Sequence, residues 1–229
     1  MKLKTLSIVI PGYNEQNTIN EIISRVKKVN LGKIKKQIIA VDDGSTDKTL
    51  AKLKRIKGIK LLTHSVNQGK GAAIKTGLKQ AQGEYILIQD ADLEYDPQDI
   101  PSLLSPVLTN KAEVVYGSRF SGPHKNMLFW HMVGNKLLSL LTNFLYNTTL
   151  SDMEVGYKLM PTKLIKSLKL TQKRFGFEPE VTSKILKTGR RIFEVPISYA
   201  GREFHEGKKI TWRDAIVAFF LLIRYRLFD

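Results

Sequence analysis

The chain predicts an α/β fold: a doubly wound, Rossmann-like, mostly parallel sheet with helices on both faces, followed by amphipathic helices toward the C-terminus. Strand and helix signals alternate with short connections over the first two-thirds of the sequence, the pattern of a mostly parallel sheet covered by helices. Clusters rich in Gly, Asn and Asp follow successive strand signals, and in open α/β sheets ligands bind outside the C-terminal ends of the strands. With 229 residues and 42% hydrophobic content, the chain can bury a full core, and residues 1–229 are expected to form one domain.

Leu6 to Ile10 reads as the first strand, and Ile19, Ile22, Ile23 and Val26 recur at helical spacing directly after it. Ile38 to Val41 is the second strand; Ser45 or Thr46 can cap the next helix, whose buried stripe includes Leu50, Leu53 and Ile56. Ile59 to Thr63 is a short third strand, Gly71 to Ala81 a helix rich in small residues, and Glu84 to Gln89 a fourth strand that ends at Asp90. Asp96 followed by Pro97 fits an N-cap and first helical position, with Ile100, Leu103, Leu104 and Val107 facing inward. Val114 to Tyr116 is the fifth strand.

Beyond Gly117 come a long amphipathic segment, Met127 to Tyr146, a strand-like stretch near Val155 to Met160, and a helix from about Pro179 to Lys187. Ile192 to Tyr199 is a later strand that Pro196 assigns to a sheet edge. Thr211 to Asp214 has capping-box spacing at the head of a final helix, Trp212 to Phe228.

Composition narrows the function. Lys and Arg outnumber Asp and Glu by 37 to 21, a formal net charge of +16, which implies anionic partners such as nucleic acid, lipid headgroups or phosphorylated substrates. There is no cysteine, so any metal chemistry falls to oxygen ligands, and a reducing compartment is expected. The N-terminus enters a strand pattern at once, without a signal peptide's apolar region. The longest uninterrupted apolar run, Ala215 to Ile223, falls far short of the roughly 20 residues a membrane span requires. Met127 to Tyr146 and Trp212 to Phe228 could still lie on a membrane surface.

Three polar clusters define the candidate site: Pro11 to Glu15 after strand one, Asp42 to Asp47 after strand two, and Asp90 to Glu94 after strand four. Any one of them reads equally as a solvated turn with a helix cap; all three at one sheet edge are harder to dismiss. If the extended backbone continues past Asp90, then Asp90, Asp92 and Glu94 share one face, since strand side chains alternate with period two. Three gathered carboxylates call for a hard divalent cation, Mg²⁺ or Mn²⁺, whose shell a substrate's phosphates often complete. Gly69-Lys70-Gly71 resembles part of a phosphate loop, but no glycine precedes it at Walker spacing and Gly71 replaces the required Ser or Thr. Ile74 stands where a dinucleotide fingerprint needs its third glycine. The four histidines show no metal-ligand spacing.

In this order and at these separations, the clusters resemble the family 2 glycosyltransferases with the GT-A fold, and the resemblance covers nearly the whole chain. It implies that Tyr13, Glu15, Asp42 and Asp43 hold the base and ribose of a nucleotide sugar, with Pro11, Lys70, Asp90 and Ala91 also in the donor site. It makes Asp90-Ala91-Asp92 the Asp-x-Asp motif for the metal that bridges the donor diphosphate. Residues 1–120 would then form the nucleotide-sugar half and 121–229 the acceptor half.

The second half looks like that family's polyprenyl-phosphate branch, the dolichyl- or polyprenyl-phosphate mannose and glucose synthases. Gly117-Ser118-Arg119-Phe120, Asp152 to Tyr157, and Glu194 to Ile197 followed by Arg202 and Gly207-Lys208-Lys209 match its segments. The resemblance implies a phosphate clamp of Arg119, Arg202 and Lys208, and an inverting hexosyl transfer to a polyprenyl phosphate in which Asp92 and the clamp do the catalytic work. GDP-mannose and UDP-glucose types of donor both fit. Glu94 departs from the pattern, because the mannose synthases tend to carry glutamine there.

A phosphate monoester's second pKa lies near 6, so its oxygen needs no strong general base. A hydroxyl acceptor would need one, and Glu178 and Glu180 are the nearest candidates. The implied location is the cytoplasm, at a membrane's cytoplasmic face. Two alternatives stand beside this reading: a soluble enzyme of the same family that glycosylates a saccharide or protein hydroxyl, and a basic nucleic-acid-binding protein. The second lacks an RNP-like strand, a zinc module or a recognition helix, and no nucleic-acid partner is expected.

Overall fold

The computed structural model describes residues 3–202 and 212–228. In chain order the elements are β1 (Thr5–Gly12), α1 (Ile19–Lys28), β2 (Lys35–Asp42), α2 (Thr49–Leu53), β3 (Lys60–Thr63), α3 (Lys70–Gln80) and β4 (Tyr85–Ile88). A 3-10 turn (Pro97–Asp99) then leads into α4 (Ile100–Leu108), β5 (Val114–Ser118), β6 (His124–Lys125), α5 (Phe129–Tyr146) and β7 (Lys158–Pro161). The rest are α6 (Thr162–Ser167), α7 (Phe177–Lys187), β8 (Ile192–Pro196), β9 (Tyr199–Ala200) and α8 (Trp212–Leu227).

Seven strands form the main sheet in the order β3-β2-β1-β4-β7-β5-β8, and β6 pairs with β9 in a small second sheet. The main sheet is largely parallel; β7 runs antiparallel to both β4 and β5. From β1 the chain first builds toward β3 and then returns to the other side of β1 with β4, so a topological switch lies between β1 and β4. Ligand crevices form at such switch points. The central strands carry continuous apolar runs, and all of β4 is buried, as expected for a strand covered on both faces. Pro196 lies on edge strand β8, where a missing N–H costs least.

Helix α1 buries Ile19, Ile22, Ile23 and Val26, and α4 buries Ile100, Leu103, Leu104 and Val107, as their periodicity requires. Asp96 accepts from the Gln98 amide at 3.0 Å and opens the turn before α4. The expected capping of α2 needs correction: the Thr49 amide donates to Asp47 at 2.8 Å. Ser45 and Thr46 are engaged elsewhere. Ser45 Oγ accepts from the Asn14 amide and the Thr46 amide donates to Asn14 Oδ1, which ties the loop after β2 to the loop after β1.

The long amphipathic helix α5 leaves part of its apolar surface uncovered: Trp130, Leu137 and Phe144 are exposed at 79%, 61% and 84%. The buried face is Leu138, Ser139 and Thr142. Leu138 joins Met153, Ala218 and Leu222 in a second apolar cluster between α5 and α8, separate from the core around the sheet. No described helix is long and apolar enough to cross a membrane.

Candidate active site

The C-terminal ends of β1, β2 and β4 open into a cavity of about 310 Å³. Pro11, Tyr13, Glu15, Asp43, Lys70, Asp90, Ala91, Asp92, Glu94, Arg119 and Arg202 line it. Thus most of the residues singled out in the sequence converge on one site. Asp42 is buried beside it, its Oδ2 accepting from the Ser45 amide while Oδ1 has no hydrogen-bond partner. Lys208 lies outside the described residues, as do His205, Gly207 and Lys209.

Asp43 organises a wall of the cavity. Its Oδ1 faces His64 Nδ1 at 2.6 Å and accepts from the Gln68 amide; its Oδ2 accepts from Asn67 Nδ2 and the Gly69 amide. His64 Nε2 meets Thr76 Oγ1 at 2.9 Å, so this histidine ties Asp43 to α3. Gly69, at φ +99°, lets the chain enter α3, and a Cβ there would stand 2.4 Å from the Lys173 carbonyl oxygen. The first residue of α3, Lys70, is thereby aimed into the cavity. Its Nζ contacts Asp90 at 2.8 Å and Glu178 at 2.9 Å. Burial alone would lower the Lys70 pKa, but the Asp90 and Glu178 carboxylates reverse that and hold it well above its ordinary value.

The carboxylates after β4 are arranged differently from expectation. The strand stops at Ile88 and the backbone turns, with Leu93 at φ +64°, so period-two alternation does not apply to Asp90, Asp92 and Glu94. The Asp90 carboxylate meets Lys70. Asp92 Oδ1 accepts from the Glu94 amide at 3.1 Å. Glu94 faces the strap around β9, taking the Arg202 amide at 3.0 Å on Oε1. Among the described residues no three His, Cys, Asp or Glu side chains are gathered as a metal-binding group, and Asp90, Asp92 and Glu94 line the cavity with separate partners.

The oxygen donors Asp90 and Asp92 nevertheless fit a hard divalent ion that takes its remaining ligands from phosphate and water. Burial, and then the neighbouring Asp90 and Glu94 charges, push the Asp92 carboxyl up to about 7, the crowding that such a cation relieves. Gly156 makes room for this cradle, since a Cβ there would stand 2.2 Å from Asp90 Oδ2.

Arginines close the other side. Arg119 is locked by Asp152 through Nε to Oδ2 at 2.7 Å and Nη2 to Oδ1 at 2.6 Å. Burial would lower its pKa, and Asp152 more than offsets this. The Asp152 loop is in turn held by Glu194, which accepts from the Ser151 and Asp152 amides; this gives the Glu194 to Ile197 segment a physical function. Arg202 donates to Glu15 Oε2 at 3.1 Å and lies 3.5 Å from Asp92 Oδ2.

The two glutamates at the head of α7 separate. Glu180 is fully engaged by Thr171, Gln172 and Lys184 and is not among the residues that line the cavity. Glu178 lines the cavity. So does Glu154, which lies inside the Asp152 to Tyr157 segment without being singled out there, together with Tyr95, Arg174 and Phe175. Tyr95 directly follows the Asp90 to Glu94 cluster, and Phe175 precedes Gly176.

Residues 7–169 match the model of glycosyl transferase family 2. A UDP-N-acetylglucosamine–dolichyl-phosphate N-acetylglucosaminyltransferase from Methanococcus voltae is 30% identical, the alignment covering 88% of each chain. A dolichol-phosphate mannosyltransferase from Pyrococcus furiosus is 27% identical over 89% of this chain and 58% of its own, so this chain spans little more than half of that relative. A dodecaprenyl-phosphate galacturonate synthase from Rhizobium johnstonii is 28% identical over 86% of this chain and 60% of its own. Among solved structures, glucosyl-3-phosphoglycerate synthase from Mycobacterium tuberculosis, in complex with Mn²⁺, UDP and phosphoglyceric acid, superposes with a TM-score of 0.76 at 21% identity, covering 99% of this chain and 80% of that one. The sheet order, the cavity at its switch point and the family match agree: the chain is a glycosyltransferase of family 2, with the GT-A fold.

Proposed function

We propose that this enzyme transfers a hexosyl group, with inversion, from a nucleoside diphosphate sugar to a polyprenyl phosphate at a membrane surface. The observation that carries the reading is the convergence of Asp90 and Asp92 with Lys70, Arg119 and Arg202 around one cavity, a site built for two phosphorylated substrates. Relatives named for polyprenyl- or dolichyl-phosphate acceptors support the choice of acceptor.

Tyr13, Glu15 and the unpartnered Asp42 Oδ1 hold the base and ribose, while Asp43 acts through the wall it organises. Asp90 and Asp92 hold Mg²⁺ or Mn²⁺, a metal that the crystallised M. tuberculosis neighbours also carry. When bound, the divalent ion supplies Lewis-acid neutralisation of charge on the leaving diphosphate. Lys70 adds a fixed cation beside Asp90, already positioned and therefore needing no reorganisation as charge develops.

Arg119 and Arg202, with Lys208, position the acceptor phosphate and offset its repulsion from the donor. One acceptor oxygen then forms a bond to the anomeric carbon as the bond to the donor diphosphate breaks, and the electron pair leaves with the diphosphate. An acceptor monoester is largely deprotonated at neutral pH, so no residue need remove a proton. Glu180, one of the two glutamates considered as a base, has no free oxygen for that task, which supports a phosphate acceptor over a hydroxyl.

The exposed Trp130, Leu137 and Phe144 on α5 and Phe219, Phe220 and Phe228 around α8 supply an apolar surface for peripheral attachment, on the cytoplasmic face, where a lipid phosphate would be met. The test is transfer of label from UDP-glucose, GDP-mannose and related donors, with Mn²⁺, to detergent-dispersed polyprenyl phosphate. Label entering the organic phase is expected. Label found only on a water-soluble saccharide or protein would overturn the acceptor.

A further inference from the structure

Two acidic side chains in the cavity have no part in that scheme. Glu154 comes from the loop before β7 and Glu178 from the first turn of α7. Each has a buried carboxylate oxygen without a hydrogen-bond partner, Glu154 Oε1 and Glu178 Oε2. The Glu178 side chain is 5% exposed and its other oxygen is fixed by Lys70 at 2.9 Å. Leaving a buried acceptor unmatched costs about 1–3 kcal/mol, so two such atoms in one cavity wall call for a ligand that supplies donors.

The surroundings hold both groups still. Buried Lys158 donates to the carbonyls of Met153 and Val155 at 2.8 and 2.7 Å, fixing the backbone on either side of Glu154. Burial, and then the charge of Glu178, raise the Glu154 carboxyl to about 8, so near neutral pH it retains a proton and can also donate.

Phosphates offer no donors and would be repelled by Glu178. Ring hydroxyls of a sugar both donate and accept. The position also fits: Lys70 bridges Asp90 and Glu178, which places Glu178 one cation away from the carboxylate assigned to the donor diphosphate, where the attached hexose must lie.

We propose that Glu154 and Glu178 form the donor-hexose subsite, reading ring hydroxyls with the oxygens that no protein group satisfies, and that they restrict the donor to neutral hexoses. This rests on the nucleotide-sugar reading above. A hexuronate would bring its own carboxylate against that of Glu178 and bind poorly.

Calorimetric titration of the full chain with Mn²⁺ tests this, using UDP and GDP first and then glucose, mannose, N-acetylglucosamine and glucuronate conjugates of whichever nucleotide binds. A neutral sugar is expected to tighten binding over the bare diphosphate, and glucuronate is not. Glu154→Gln and Glu178→Gln should each weaken the sugar conjugate by about tenfold, the loss of one hydrogen bond to a charged or strongly polar group, while affinity for the bare diphosphate changes less than about twofold. Glu154→Gln breaks no ion pair and so guards against an indirect effect through Lys70. An unchanged sugar increment in both variants, or glucuronate bound as tightly as the neutral sugars, overturns the subsite. If neither UDP nor GDP binds, the donor reading itself fails and the subsite with it.

Discussion

Arg202 reaches across 187 positions of sequence to donate to Glu15 at 3.1 Å. The link joins the segment after β9 to the loop after β1, directly over Asp92 at 3.5 Å. Arg202 therefore neutralises carboxylates on the donor side of the cavity and is placed to exchange them for substrate phosphate. Its replacement by alanine removes that cation without disturbing the sheet core. Arg202→Ala is expected to lower kcat/KM for transfer by about 10- to 100-fold, the worth of hydrogen bonds to a charged group. Steady-state kinetics with both substrates varied will check it, and unchanged KM values together with an unchanged rate would remove Arg202 from the site.

Asp92→Ala should abolish transfer and leave the fold intact. The carboxylate is only partly buried and its protein contacts are the Glu94 amide and Arg202, neither of them part of the core. Circular dichroism and thermal melting of the variant should match the parent, while Mn²⁺-dependent stabilisation by the donor should vanish. An unfolded variant would make Asp92 a structural residue.

How far the site could be read from sequence depended on whether each signal was local. Pro11 to Glu15, Asp42 to Asp47 and Asp90 to Glu94 were legible because strand ends in a parallel sheet share an edge. How Asp90, Asp92 and Glu94 are presented was not legible, because the alternation rule holds only while the backbone stays extended, and Leu93 turns it at φ +64°. Which face of α5 is buried was not legible, because periodicity shows that a helix has an apolar stripe without showing which stripe meets a neighbour; packing on Met153, Ala218 and Leu222 decides it. The antiparallel placement of β7 between β4 and β5 is a long-range outcome with no local pattern.

Gly156→Ala tests the cradle around Asp90. The added methyl would stand 2.2 Å from Asp90 Oδ2 and 3.0 Å from the Tyr95 ring, and the ring is held by stacking on Tyr157 at 4.9 Å. The carboxylate must move. Overpacking of this kind costs about 1–3 kcal/mol, so a lower melting temperature is expected along with weaker Mn²⁺ binding. Retention of parental Mn²⁺ affinity by calorimetry would show that Asp90 does not need this space.

Glu180 should make stability pH-dependent. Burial raises its pKa, but the amides of Gln172 and Thr171, with Lys184, outweigh this and leave it below its ordinary value of 4.5. A depressed folded pKa contributes stability that is present in full above the unfolded value and is lost as pH falls through the folded one. Urea unfolding midpoints should therefore drop below about pH 4.5 in the parent chain, and Glu180→Gln should remove part of that slope while lowering stability at neutral pH. Equal slopes for the two proteins would exclude Glu180 as a source.

The exposed stripe on α5 gives the last prediction. Trp130 and Phe144 are 79% and 84% exposed, so replacing them with serine removes nothing from the core, and thermal melting should be unchanged. If the stripe enters the headgroup region, each aromatic contributes about 1.5–3 kcal/mol of apolar burial there, and the double variant should partition to vesicles about 100- to 10,000-fold more weakly. Arg224 and Arg226 in the last turn of α8 would add about 1 kcal/mol each on anionic lipid, a contribution that salt screens and the aromatic one does not share. Sedimentation with anionic and neutral vesicles at low and high salt separates the two. Binding that survives the double substitution yet disappears in salt would assign attachment to basic residues alone and leave the apolar stripe without a membrane role.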